Sequence, residues 1–231
     1  MNNVSRLAVS AFFLVLYADC VQAQSSCSSD GQPQPAGLLE RFINADCESC
    51  WSDAHTTQPG PGEIALDWIV PGSRGDDAPL SAAASRDAPA RLEALGRPAP
   101  PQAGSSHRKL QRAGRQLRVA QGPPSNGYIG ASIELKPGGP GSWNAWLLLV
   151  ETIPAGSEGT PVARNLVRNA VQPAWNGERP LSKQEQQRLF ESRPMSIPEG
   201  AKPARLRVVG LVEDAQGRIV AAAQSVCLHR R

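Results

Sequence analysis

Residues 43–55 read INADCESCWSDAH and hold the densest chemistry in the sequence. Cys47 and Cys50 are separated by Glu48 and Ser49, directly behind the apolar run LLERFINA at 38–45. A Cys-x-x-Cys that opens a helix after a strand suits thiol–disulfide exchange. The first sulfur then lies at the opening turn, where free backbone N–H groups stabilise a thiolate. The second sits one turn along, within reach to resolve a mixed disulfide. In this scheme Cys47 attacks and Cys50 resolves. Asp46, Glu48 and Asp53 flank the pair, and no Lys or Arg lies within the motif. Like charge disfavours a thiolate, so the expectation is a mild oxidoreductase or isomerase rather than a powerful oxidase. Two other chemistries fit the same residues. Cys47, Cys50, Asp53 and His55 form a compact set suited to Cu(I) or Zn, though no second Cys/His pair at matching spacing accompanies them. Alternatively the pair is a permanently closed structural bridge in a non-enzymatic binding or scaffold module.

The compartment follows from the N-terminus. Arg6 precedes an apolar run from Leu7 to Tyr17, and Val21-Gln22-Ala23 offers small residues for cleavage. That pattern, too short for a permanent membrane anchor, predicts a signal peptide over residues 1–23 and a periplasmic or secreted protein after cleavage near Ala23. Cleavage would remove Cys20, one of five cysteines, and leave Cys27, Cys47, Cys50 and Cys227. An even number in an oxidising compartment reads as two bridges, with three possible pairings. Adjacency favours Cys47 with Cys50, which leaves Cys27 to meet Cys227 as a structural disulfide closing nearly the whole chain. Loop-closure entropy assigns such a bridge on the order of 4–5 kcal/mol.

The elements that must position the cysteines are readable in part. EIALDWIV at 63–70 places Ile64, Leu66, Trp68 and Val70 on one face, as a strand does. The run Leu80–Leu95 is helix-forming in composition, interrupted by Pro89. Strand, helix, strand, helix predicts a parallel α/β start, assigned to residues 24–125. After Asn126 come YIGASIEL, NAWLLLVET, VARNLVRNAVQPAW, ARLRVVGLVED and RIVAAAQSVCL, separated by Gly/Pro turns. Asp214-Ala215-Gln216-Gly217 suits a hairpin between the last two, and Ser182–Glu185 matches a helix capping box. Residues 126–231 are therefore predicted to form an antiparallel β-sandwich.

Composition narrows the function classes. The net charge is +3 among 231 residues, which gives no footprint of a nucleic-acid binder. No second long apolar segment follows the leader, so stable membrane insertion of the mature chain is not expected. No G-x-S-x-G elbow, Walker loop or G-x-G-x-x-G is present, and no cofactor is predicted. The basic stretch SSHRKLQRAGRQLR at 105–118 reads as a solvated edge, with an anion or headgroup site as the functional alternative.

LLERFINADCESCWSDA resembles the strand-plus-motif of a secreted bacterial thioredoxin-like family of unknown function, whose typical segment is E-L-F-T-S-x-G-C-S-S-C-P-P-A-D. Glu40, Phe42, Cys47, Cys50 and Asp53 carry the likeness. Leu66-Asp67-Trp68 echoes a later strand of that family. EGTPVARNLVRNAV is similar to its E-N-x-G-R-x-L-x-H-x-N-V-V-R segment through Glu158, Gly159, Asn165, Val167 and Arg168. The resemblance implies a thioredoxin-like fold and a protein thiol, disulfide or periplasmic redox partner. Trp51 and Ser52 replace the prolines that follow the family's second cysteine. The proline usually placed opposite the sulfurs has no counterpart between His107 and Gln121, where Pro98–Pro101 and Pro123-Pro124 are the nearest candidates.

Overall fold

The computed structural model describes residues 27–111, 114–138, 141–175 and 182–227; the leader expected over 1–23 lies outside them. Strands dominate: β1 (Cys27–Ser28), β2 (Gly37–Asn44), β3 (Glu63–Val70), β4 (Ala103–Lys109), β5 (Gln116–Gln121), β6 (Tyr128–Lys136), β7 (Asn144–Ile153), β8 (Arg164–Val171), β9 (Leu189–Ser196), β10 (Leu206–Glu213) and β11 (Ile219–Gln224). The helices are short: α1 (Glu48–Trp51), α2 (Asp87–Ala94) and α3 (Lys183–Gln187). A four-stranded sheet runs β1-β5-β6-β9, and a seven-stranded sheet runs β11-β10-β7-β8-β3-β2-β4.

Alternation within the strands explains the layering. Leu38 and Phe42 of β2 join Ile64, Leu66 and Trp68 of β3 in a core that also takes Trp146 and Leu148 of β7, Leu211 of β10 and Leu92 of α2. The opposite face of β7 and β10, through Leu147, Leu149, Val208 and Val212, packs on Val119, Ile133 and Leu135 of the smaller sheet. Gly210 lets these layers close, since a Cβ there would lie 2.6 Å from a methyl of Val119. Further along the large sheet, Ile43, Ile69 and Leu166 face outward beneath Trp51 of α1.

A buried charge cluster marks how strongly the large sheet curls. Glu40 in β2 and Glu213 in β10 are separated by β3, β8 and β7. In a flat sheet that order would hold them about 19 Å apart. Yet Arg91 of α2, fully buried, donates from Nε and Nη2 to Glu40 at 2.8 and 2.9 Å and from Nη1 and Nη2 to Glu213 at 2.8 Å each. Arg108 of β4 binds the same two carboxylates at 2.6 Å. Trp68 donates to Glu40, and Arg91 stacks over Trp146. The outer edges of the sheet approach as well, with the Gln111 N–H donating to the Ile219 carbonyl at 2.8 Å. The large sheet is thus a curled half-barrel closed around two arginines and two glutamates.

This architecture corrects the expected α/β thioredoxin-like portion followed by an antiparallel β-sandwich portion. The described residues are 44% strand and 13% helix, too little helix to cover an α/β sheet. β2 and β3 pair in parallel, with Leu38 opposite Ile64, as in an α/β unit. However, the segment between them carries a single helical turn, and within Leu80–Leu95 a separate 3-10 turn at Ser81–Ala83 precedes the eight-residue α-helix that starts at Asp87. The next partner of β3 is β8, from late in the chain, and β5 pairs with β6. Strands from before and after residue 126 therefore share both sheets.

The two bridges form as adjacency suggested, Cys27–Cys227 across 200 residues and Cys47–Cys50 across three. They indicate an oxidising, extracellular-type environment. Among the described residues no helix is long and apolar enough to cross a membrane. Much of the basic stretch at 105–118 is engaged: Arg108 in the buried cluster, Arg118 with Asp30, and Arg115 stacked on Trp143.

Burial alone would push the Glu40 carboxyl up, but the Arg91 and Arg108 guanidiniums outweigh it and hold Glu40 below the usual carboxylate range. Its contribution to stability is therefore complete above the ordinary glutamate value of about 4.3 and is lost as pH falls through the depressed folded value. Glu40→Gln is expected to cost about 3 kcal/mol at pH 7, because it leaves buried guanidinium charge uncompensated. In urea denaturation the gap between wild type and Glu40→Gln should narrow as the pH is lowered below about 4.

Candidate active site

β2 delivers the chain to the cysteines. The Asn44 N–H donates to Gln102 O, the Ala45 N–H to Val70 O and the Cys47 N–H back to Asn44 O. Cys47 is the N-cap of the four-residue α1, with φ −102° and ψ 80°. Both cysteines are half-buried, and their Cα atoms are 5.3 Å apart. The Cys47 Sγ lies 3.6 Å from the Ser49 hydroxyl. A single turn supplies only a small dipole, so helix electrostatics contribute less to a thiolate here than the sequence pattern implies.

The neighbouring acids are turned to other tasks. Asp46 accepts from the Ser73 amide and hydroxyl at 2.8 and 2.9 Å and from the Arg74 amide at 3.3 Å. Burial works to raise its carboxyl, but these donors prevail and hold it below the usual range. Gly72 makes room, since a Cβ there would fall 2.3 Å from the Asp46 Oδ1. Asp53 folds onto its own turn, accepting the His55 amide at 2.8 Å, and the His55 ring is almost fully exposed. With Cys47 and Cys50 joined, no grouping of three or more His, Cys, Asp or Glu among the described residues is disposed to hold a metal ion.

The residues that the motif did not reveal lie underneath. Arg164, at the start of β8, is fully buried and reaches α1 with one guanidinium nitrogen. Its Nη2 donates to the carbonyls of Cys50 and Trp51 at 3.2 and 2.8 Å and to the Thr56 hydroxyl at 3.0 Å. Its Nη1 meets Asp67 at 3.3 Å, its Nε meets Thr160, and the group stacks on Trp51. Burial, and the nearby Arg41 charge, lower its pKa from the ordinary value, against the pull of Asp67. Arg41 of β2 donates to Asp67 at 2.7 Å and to the Thr57 carbonyl at 3.1 Å. Trp51 is fixed at its far end too, its indole N–H donating to Glu158 O at 2.8 Å. The cysteine turn therefore rests on a buried Arg41–Asp67–Arg164 cluster.

Beside the bridge opens a cleft of about 310 Å³, with Cys50 and Asp53 on one side, Arg41 and Arg164 on its floor, and Gln102 to Ser105 along the other wall. The Pro98–Pro101 cluster leads into that wall, and the Pro100 carbonyl accepts from the Asn44 side chain at 3.4 Å. Among the described residues the cis proline peptide is elsewhere, at Lys136–Pro137 after β6. A disulfide that is partly exposed and borders a cleft can be approached by a thiolate, and its reduced form can meet a disulfide from solvent.

Arg164→Met is expected to destabilise the fold by about 3–5 kcal/mol, since it strips two carbonyls and a buried carboxylate of a shared donor. Denaturant unfolding measures the loss, and altered near-ultraviolet dichroism of Trp51 would locate it at the cysteine turn.

No family model, curated protein or solved structure matches this chain.

Proposed function

We propose that this protein is an exported thiol–disulfide oxidoreductase of mild potential, working in the periplasm or outside the cell after removal of a leader near Ala23. The observation that carries the reading is the half-exposed Cys47–Cys50 bridge at the head of α1, bordering an open cleft. In the reduced form the Cys47 thiolate attacks a disulfide of a protein partner, forms a mixed disulfide and expels one partner thiolate, which takes up a proton. Cys50 then attacks the Cys47 sulfur, restores the Cys47–Cys50 bridge and releases the second partner thiol. Two electrons pass from the protein dithiol to the partner, and the reverse sequence oxidises a partner dithiol. The likeness of LLERFINADCESCWSDA to a secreted thioredoxin-like family of unknown function supports the exported setting and the motif alone, since the thioredoxin-like fold it implied does not form.

One observation favours a second reading, a binding module with a structural bridge. The cysteine turn is already pinned by Arg164 and by the Trp51 indole, so the bridge sits in a rigid support. The two readings part on reactivity. Cys50→Ser is expected to accumulate mixed disulfides through Cys47 when expressed for export, and Cys47→Ser is not. Absence of any adduct in Cys50→Ser, together with a bridge that resists dithiothreitol in the folded protein, would leave only the binding module. Loss of the bridge should cost about 2 kcal/mol or less, because so short a loop removes little entropy from the unfolded chain; urea unfolding of Cys47→Ser/Cys50→Ser checks this.

A further inference from the structure

The floor of the cleft carries more positive charge than the protein neutralises. Arg41 and Arg164 both line it, both are buried, and both share the single carboxylate of Asp67. The donors of Arg164 are occupied by Asp67, Thr160, Thr56 and the carbonyls of Cys50 and Trp51. Those of Arg41 are not. Its Nη atoms reach Asp67 and the carbonyls of Thr57 and Ala163, while its Nε–H is withdrawn from solvent and has no acceptor among the described residues. Asp53 is the other acid on the cleft and acts on Arg164 through space, but it is half-exposed, its Oδ1 is committed to the His55 amide, and it makes no ion pair with either arginine. Two guanidiniums thus face one buried carboxylate, and a buried charge without a counter-ion is costly.

The wall above this floor offers further donors. Ser105 of β4 lies directly opposite Arg41 of β2, and cross-strand neighbours share a face of the sheet. Its exposed hydroxyl is 3.3 Å from that of Thr57 across the mouth. Planar guanidinium N–H groups and flanking hydroxyls match a carboxylate. We propose that the cleft is a carboxylate-binding site, with Arg41 and Arg164 supplying the charge and Ser105 and Thr57 the rim donors. Its place beside Cys50 gives the site a substrate class that rests on the exchange reading above: a small disulfide bearing a carboxylate. The carboxylate seats over Arg41 while the Cys47 thiolate attacks the disulfide. One substrate thiol leaves with a proton, Cys50 displaces the second from Cys47, and two electrons pass to the substrate as the Cys47–Cys50 bridge closes.

The probes are suberate, the hydrocarbon counterpart of 3,3′-dithiodipropionate, and neutral 1,8-octanediol, titrated calorimetrically into the purified protein in its oxidised form. Suberate is expected to bind at least about tenfold more tightly than the diol, the worth of one charge-assisted hydrogen bond. Ser105→Asp puts a negative charge at the exposed rim without touching the buried cluster, and should weaken suberate by about tenfold or more. Arg41→Gln should do the same, with its fold checked by circular dichroism. Equal affinity for suberate and the diol, or suberate binding unchanged by Ser105→Asp, overturns the site. A second arm compares the reduced protein's rates with 3,3′-dithiodipropionate and with bis(2-hydroxyethyl) disulfide, where about a tenfold preference for the acid, lost in Ser105→Asp, is expected. Suberate binding without reaction of either disulfide upholds the carboxylate site and overturns the exchange reading. Equal rates with no suberate binding uphold exchange and overturn the site.

Discussion

Arg91 of α2 bridges Glu40 of β2 and Glu213 of β10 inside the fold, with both carboxylates fully buried. Two carboxylates on strands four places apart can share one guanidinium only if the sheet between them curls strongly, here into a half-barrel. Arg108, from the edge strand, binds the same carboxylates and balances two cations against two anions. Neutral pairing of this kind turns a large desolvation penalty into a geometric requirement, because any flatter sheet would leave a charge buried and unmatched. The aromatic wall of Trp68 and Trp146 fills the remaining space around the cluster.

Curling has a consequence on the outer surface. β2, β3 and β8 lie side by side in the large sheet and point Arg41, Asp67 and Arg164 away from the barrel interior. On this convex face α1 docks through Trp51 over Ile43, Ile69 and Leu166, which leaves the cysteine turn seated on the arginine–aspartate cluster. The two charge clusters differ in balance. The inner one is neutral, two guanidiniums against two carboxylates, and it ties α2, β2, β4 and β10 together, with Arg108 Nε alone in it buried without an acceptor among the described residues. The outer one has an excess of one cation and an unpaired Arg41 Nε beside a cleft, and we propose that it serves the site. On the proposed reading, stability and chemistry lie on opposite faces of the same strands, Glu40 and Arg41 being adjacent in sequence.

How much of this the sequence discloses follows from the range over which each signal acts. EIALDWIV reads as a strand because alternation is local, and β3 occupies those same residues. Cysteine pairing by adjacency also holds, since few partners exist. The sheet order does not follow from local pattern, because a strand–turn–strand with parallel pairing looks alike in an α/β domain and in this half-barrel. What separates the two is that α1 is one turn long and that β8, about a hundred residues later, supplies the next strand. Arg91 and its partner Glu213 are 122 residues apart, and Arg164 is 114 residues from Cys50. A signal was nonetheless present. Glu40 and Arg41 interrupt an apolar strand, as does Asp67 in the next, and ionised groups flanked by core residues require buried partners.

On the proposed function, the Cys47–Cys50 bridge is a working redox couple rather than a staple. Its reduction potential, measured by equilibrating the folded protein with glutathione buffers and separating the two forms by thiol alkylation, tests this most directly. A value in the range of exchange proteins, about −270 to −120 mV, is the expected result. A value below about −300 mV, typical of bridges that only hold structure, would contradict it.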